Sequence, residues 1–199
     1  MYNNDFSCKL CPRISKNLSI LKKNFPTYHN KPVIGRGNIN SKICIVGLAP
    51  GLHGANKTGT TFTGDFCSNI LNISLHQSKL NNPNLFYITN ALKCLPPFNK
   101  PLSSEIKQCS TYLTNELLLM KNLKVIIALG FVAHKSILSS LKIPLKSYKF
   151  SHNTIHNLGN IYMIDSYHCS RININTKKLT ISMLNAVFHQ AKQYLNQNK

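Results

Sequence analysis

Acidic side chains are scarce in this chain of 199 residues: five Asp and Glu stand against 24 Lys and Arg, for a formal net charge of +19. Such a field favours a polyanionic partner, nucleic acid above all. Heavy use of Lys, Asn and Ile, as AT-rich codons would produce, raises the positive charge but does not explain the missing acids. The amino terminus, MYNNDFSCKLC, lacks an apolar core segment. This argues against a secreted scaffold in which the seven cysteines pair as disulfides, and predicts a cytoplasmic protein. No apolar run approaches membrane-spanning length, which excludes insertion and leaves only weak charge-driven contact with anionic lipid. Internal repeats and low-complexity linkers are also absent. A single domain over residues 1–199 is expected, long enough to bury a core without staples, and nothing signals oligomerisation, so a monomer is expected.

What is present alternates. Residues 1–41 are polar and basic, interrupted by Pro12, Pro26 and Pro32, and read as coil and short helix. Four apolar runs follow, at Lys42 to Val46, Asn84 to Leu92, Lys124 to Leu129 and Asn160 to Tyr167, and read as strands. The intervening segments have helical spacing: Phe66, Ile70 and Ile73; Ile106, Cys109, Leu113, Leu117 and Met120; Ala133, Ile137 and Leu141. A last helix carries Ile181, Leu184, Phe188, Ala191 and Leu195 and ends in a polar tail. This order predicts an α/β fold, a central four-stranded parallel sheet covered by helices on both faces.

The richest stretch is GLAPGLHGANKTGTTFTGD, Gly47 to Asp65, at the carboxyl end of the first strand, where open α/β sheets bind ligands. Gly51 to Thr58 approaches a phosphate-cradling loop. Asn56, however, stands where the second glycine is required, and Gly59 and Gly64 follow where a helix should start, so triphosphate binding is disfavoured. Asp65 precedes a helical run and suits an N-cap, a preference worth about 1 kcal/mol. Of the five acids it alone lies in a glycine-rich loop at a strand end, which makes it the candidate carboxylate. His168 and Arg171, in YHCSRININTKKLT, lie at the end of the last strand and therefore beside that loop. Asn90 ends the second strand, where it either contributes to the same cleft or caps a turn.

Cys8-x-x-Cys11 is a two-ligand chelate, and Cys94 and Cys109 flank the turn PPFNKPLSSE. Four thiolates close a tetrahedral zinc site or hold an iron-sulfur cubane. Cys109 also lies on the apolar stripe of its helix and fits a packing role, so spacing does not choose the partners of the chelate. Cys44 and Cys67 read as packing.

Taken together, GLAPGLHGANKTGTTFTGD, YITNALKCLPPFNKPLSSEIKQC and YHCSRININTKKLT resemble, in order, three motifs of the iron-sulfur uracil-DNA glycosylases of family 5, also called type B. Leu48 followed by Ala49 distinguishes this pattern from the acidic GEAPG-type motif of family 4. The resemblance implies a three-layer α/β/α fold and a 4Fe-4S cluster held by Cys8, Cys11, Cys94 and Cys109. Catalytic roles fall on Asp65 and His168. Base binding falls on Gly47, Leu48, Ala49, His53, Phe62 and Asn90, with Phe62 stacking and Asn90 reading the polar edge. Lys57, Arg171 and Lys177 are the implied DNA contacts, although Lys57 replaces a more usual arginine, Thr60 a basic residue and Lys177 a common glycine. The implied substrate is DNA containing uracil or other deaminated bases such as hypoxanthine and xanthine, in a bacterial cytoplasm at the nucleoid. Two readings from other classes compete with this one. They are a noncatalytic nucleic-acid-binding module stapled by zinc or an iron-sulfur cluster, and a nucleotide-binding α/β protein.

Overall fold

In the computed structural model, which describes residues 8–196, the chain runs α1 (Pro12–Asn24), β1 (Arg36–Gly37), β2 (Ile43–Gly47), α2 (Ala55–Thr58), α3 (Phe66–Gln77) and β3 (Tyr87–Asn90). It continues through α4 (Ser103–Leu119), β4 (Val125–Leu129), α5 (Phe131–Ser140), β5 (Ile155–Asn157), β6 (Tyr162–Ser166), α6 (Arg171–Asn175) and α7 (Ile181–Asn196). Asp5 and the end of the expected polar tail lie outside the described residues.

The expected parallel sheet is present as β3-β2-β4-β6, in registers such as Gly47 opposite Asn90 and Ile127 opposite Ile164. Its strands are buried on both faces, as a parallel sheet requires. Ile43, Ile45, Val125, Ile127 and Ile164 point to one core with residues of α3 and α7. Cys44, Val46, Ile126, Ala128 and Met163 point to the other, with α4 and α5. Period-two alternation of wholly apolar strands thus feeds two cores and gives the three layers.

Beyond this parallel centre the sheet has six strands, because β1 and β5 add to its edges antiparallel. These edges are too short and polar to leave a hydropathy signal. The strand expected from Asn84 begins only at Tyr87, since Asn82 caps a tight turn over Pro83–Leu85. Within the segment read as coil and short helix lies the 13-residue α1. Pro12 starts this helix rather than breaking it, because the missing N–H has no helical partner at the first position. Ile14 and Leu18 of α1 pack with Leu92, Cys94, Leu95 and Cys109 in a third cluster. Among the described residues no helix is long and apolar enough to cross a membrane.

After β2 the chain moves to β3 on one side, then crosses to β4 on the other. The order reverses at β2, so the loops leaving β2 and β4 diverge and open a crevice at the carboxyl edge.

Candidate active site

A pocket of about 450 Å³ occupies that edge, walled by Leu48 to Gly51, Phe62, Asp65, Asn90, His168 and Arg171. The first, second and fourth parallel strands each deliver part of it, so residues far apart in sequence meet.

Asp65 is the N-cap of α3. Its Oδ1 accepts from the Ser68 amide at 2.9 Å, while its own amide donates to Ser68 Oγ at 2.9 Å. The cap consumes one oxygen only. Among the described residues Oδ2 has no hydrogen-bond partner, and it lies against Gly51 and Gly54 at the pocket. A Cβ at Gly51 would come within 2.8 Å of Oδ2, and one at Gly54 would collide with it. Capping and chemistry are therefore compatible: the cap fixes the carboxylate and the glycines give its second oxygen room.

Phe62 has a left-handed backbone, φ 52°, and its buried ring closes over Gly47, where a Cβ would stand 2.5 Å from Cζ. Arg36 on the edge strand braces this turn, donating from Nε to the Thr61 carbonyl at 2.6 Å. Asn90 is buried, and among the described residues its Oδ1 has no partner, although a Cβ at Gly47 would meet it at 2.6 Å. An unpaired buried amide oxygen facing a cavity is suited to a ligand. Behind it the buried Lys93 Nζ donates to the Asn90 carbonyl, Thr89 Oγ1 and Glu116 Oε2 at 2.7, 2.7 and 2.6 Å. This arrangement holds the end of β3 rigid.

His168 follows β6 and is half-buried in the pocket wall. Burial pulls its imidazole below the ordinary histidine range, opposed by the charge of Asp65. It is thus a neutral ring near pH 7, able to donate one N–H. Gly130, with φ 104°, leaves space for it, since a Cβ there would lie 3.3 Å from the Cβ of His168. The His168 carbonyl accepts from Asn173 Nδ2 at 2.7 Å, which ties the segment to α6.

The outer candidates are placed differently. His53 does not line the pocket; it is exposed, with Nδ1 3.0 Å from the Tyr28 hydroxyl and its ring against Phe25. Lys57 sits over the Tyr28 ring, 5.4 Å from its centroid, on the same surface. Asn56 is buried and donates to Asn30 Oδ1 at 2.8 Å. The near-match to a phosphate loop is thus a fastening between that loop and the preceding segment. Arg171 reaches the pocket and lies over Phe66, 4.8 Å from its centroid, whereas Lys177 is exposed away from the lining. Lys177 adopts φ 55°, the left-handed conformation for which glycine is the easier choice.

Cys8, Cys11, Cys94 and Cys109 converge on a second cavity between α1, α4 and the segment after β3. Burial, reinforced by the neighbouring sulfurs, pushes the Cys94 thiol up and that of Cys109 to about 11, and burial also raises Cys11. Thiolates here therefore need a metal's charge. Donors already point at sulfur: the Lys93 amide to Cys109 at 3.3 Å and the Tyr112 hydroxyl to Cys8 at 3.4 Å. The donor set fits a tetrahedral thiolate-bound metal or an iron-sulfur cluster.

Sequence reasoning missed Cys67, Asn99 and Ile172, which line the first pocket, and Arg36, Lys93 and Gly130, which support it. Lys93 left a signal, a lysine inside an otherwise apolar stretch. The others act through contacts across the sheet.

The model of the Uracil DNA glycosylase superfamily matches residues 34–195. The chain is 34% identical to the Type-5 uracil-DNA glycosylase of Thermus thermophilus, covering 94% of this chain and 93% of that protein. It is 33% identical to the Type-5 uracil-DNA glycosylase of Pyrobaculum aerophilum, over 93% and 88%. Similarity to the Type-4 uracil-DNA glycosylase of Thermotoga maritima, 32% identity, spans 69% of each chain.

Proposed function

The chain belongs to the uracil DNA glycosylase superfamily, and from that premise we propose that it is a DNA repair glycosylase, hydrolysing the N-glycosidic bond of uracil and of deaminated purines and leaving an abasic site. The observation that carries this reading is the Oδ2 of Asp65, without a partner among the described residues, at a pocket large enough for a nucleobase and beside a neutral histidine.

The target bond is inaccessible in stacked DNA, so the nucleotide must turn out into the pocket. The positive surface at Lys57, Lys177 and Arg171 holds phosphates. Ile172, 74% exposed at the rim, fills the gap left in the stack. Inside, Phe62 stacks on the base and the Asn90 carboxamide pairs with its polar edge. As the bond stretches, positive charge grows on the sugar and negative charge on the base. Asp65 Oδ2 faces the first and orients water. His168 N–H and the amides of the Leu48–Gly51 segment face the second. Sugar hydrolases that expel an alcohol use a second carboxylic acid to protonate it. A deaminated base leaves more readily as an anion, so one carboxylate suffices, in keeping with the scarcity of acids.

We assign the four converging cysteines to a 4Fe-4S cluster. Bound there, it would supply a structural staple between α1 and the β3–α4 segment. Hydrolysis takes no redox step. Blue-violet absorbance and about four irons per chain are expected; zinc without iron would overturn the assignment. For the activity, protein with its metal site loaded is incubated with duplexes containing uracil, hypoxanthine or xanthine, and alkali then cleaves abasic sites. Cleavage at uracil is expected, and three intact duplexes would sink the enzyme reading.

A further inference from the structure

Four of the seven cysteines share the metal-fitting cavity and Cys44 is buried inside β2, which leaves Cys67 and Cys169. Cys67 is the second residue of α3, two positions after Asp65, and lines the base pocket. Cys169 follows His168 and is fully buried behind the wall. Cys169 Sγ lies 3.6 Å from the Cys67 carbonyl, and each thiol shifts the titration of the other. We propose that Cys67 and Cys169 are an oxidisable dithiol in the pocket wall, which hydrogen peroxide converts to a disulfide that shuts the site.

Several features make Cys67 the attacking sulfur. It is partly exposed to the pocket, whereas Cys169 is not. It sits in the first turn of a 12-residue helix, where the helix dipole favours a thiolate. The Cys169 thiol, and to a lesser degree Arg171, pull its pKa down against burial and the charge of Asp65. Cys44 shows the contrast, since burial, reinforced by the charge of Glu116, drives its thiol upward. A reactive thiol open to small solutes, with a second thiol poised behind it, is the arrangement of redox-sensing cysteines.

In the first step the Cys67 thiolate attacks one peroxide oxygen. An S–O bond forms and the O–O bond breaks. The leaving hydroxide takes up the proton that Cys67 released, giving Cys67 sulfenic acid and one water. In the second, the Cys169 sulfur attacks the sulfenic sulfur, and its proton leaves with the hydroxyl as a second water. Two thiols are thereby oxidised by two electrons and one peroxide is reduced. Closing an S–S bond of about 2 Å draws the first turn of α3 toward the segment after β6. These two segments carry Asp65 and His168. A displacement of about 1 Å at such groups can cost roughly a hundredfold in rate.

The test exposes cluster-loaded protein, purified without air, to stepwise hydrogen peroxide. Thiols are mapped by differential alkylation and mass spectrometry, with turnover and cluster absorbance followed in parallel. A Cys67–Cys169 linked peptide, two hydrogens lighter than the reduced pair, is expected before any oxidation of the four cavity cysteines. Turnover should fall at least about tenfold and recover on reduction by a dithiol. Cys169→Ala should form no linked peptide and instead trap Cys67 sulfenic acid with a carbon nucleophile. Cys67 remaining fully alkylatable, earlier oxidation of the cavity cysteines, or a linked pair with unchanged turnover would each overturn the proposal. The mapping reads the dithiol directly, whereas its effect on turnover rests on the glycosylase reading, so failure of the one is distinguishable from failure of the other.

Discussion

Asp65 and Asp165 put the same side chain to opposite uses at the two flanks of one sheet. Asp65 is half-buried at the start of α3, and its cap occupies Oδ1 while Oδ2 meets the pocket. Asp165 is fully buried in β6, and both of its oxygens are engaged, by His134 Nδ1 and His156 Nε2 at 2.8 Å each. His134 Nε2 lies in turn 3.1 Å from the Tyr148 carbonyl, closing a chain of polar groups beneath Phe131 and Phe150. A carboxylate with both oxygens committed is a structural fastener. One with an oxygen left over at a cavity can act on a ligand.

The comparison breaks most sharply at Asp65→Asn. Asparagine caps a helix about as well as aspartate, so melting temperature and binding to a uracil duplex should hold while turnover falls by about a thousandfold. Unchanged turnover in single-turnover kinetics would reduce Asp65 to a cap. Asp165→Asn should do the reverse. One histidine would then face an amide donor, and denaturant unfolding should show a loss of about 3 kcal/mol with turnover per folded molecule preserved. Loss of turnover without loss of stability would make Asp165 part of the site.

Gly54→Ala sharpens the contrast further, because its Cβ would invade the space of Asp65 Oδ2 while leaving the cap bond alone. A fall in kcat of about ten- to a hundredfold, with duplex affinity kept, is expected. The smallest effect concerns pH. The folded-state pKa of His168 lies below that of an unfolded histidine, about 6.5, so the unfolded chain takes up a proton first as pH falls. The stability associated with the neutral ring is complete above that value and is lost on further acidification. Thermal melts between pH 7 and 5 should therefore decline more steeply for the wild type than for His168→Gln, and parallel declines would count against a buried neutral ring.

Asn90 and His168 were legible because each ends an apolar run, and Asp65 because it closes the glycine-rich loop that leaves another; strand ends in a parallel sheet share an edge. The resemblance gave the four cysteines a common fate that spacing left open, and the cavity they share is consistent with it. His53 lies outside the pocket lining; membership of a motif does not say which way a side chain points. Its loop is fastened through Asn56 to the preceding segment, so the ring turns toward Tyr28. The polar chain through Asp165 was invisible: His134 lies on a helix, His156 on an edge strand and Asp165 on a central strand, and no sequence period links them.

The sequence by itself determined the alternating α/β order, the excess of positive charge and the loop bearing the one available carboxylate, because hydrophobic period, composition and turn chemistry are local. Tertiary structure alone decided that Asp65 keeps an oxygen free, that Phe62 closes over Gly47, and that Cys67 meets Cys169. These depend on distances between segments brought together by strand pairing and packing, and a linear pattern does not encode such distances.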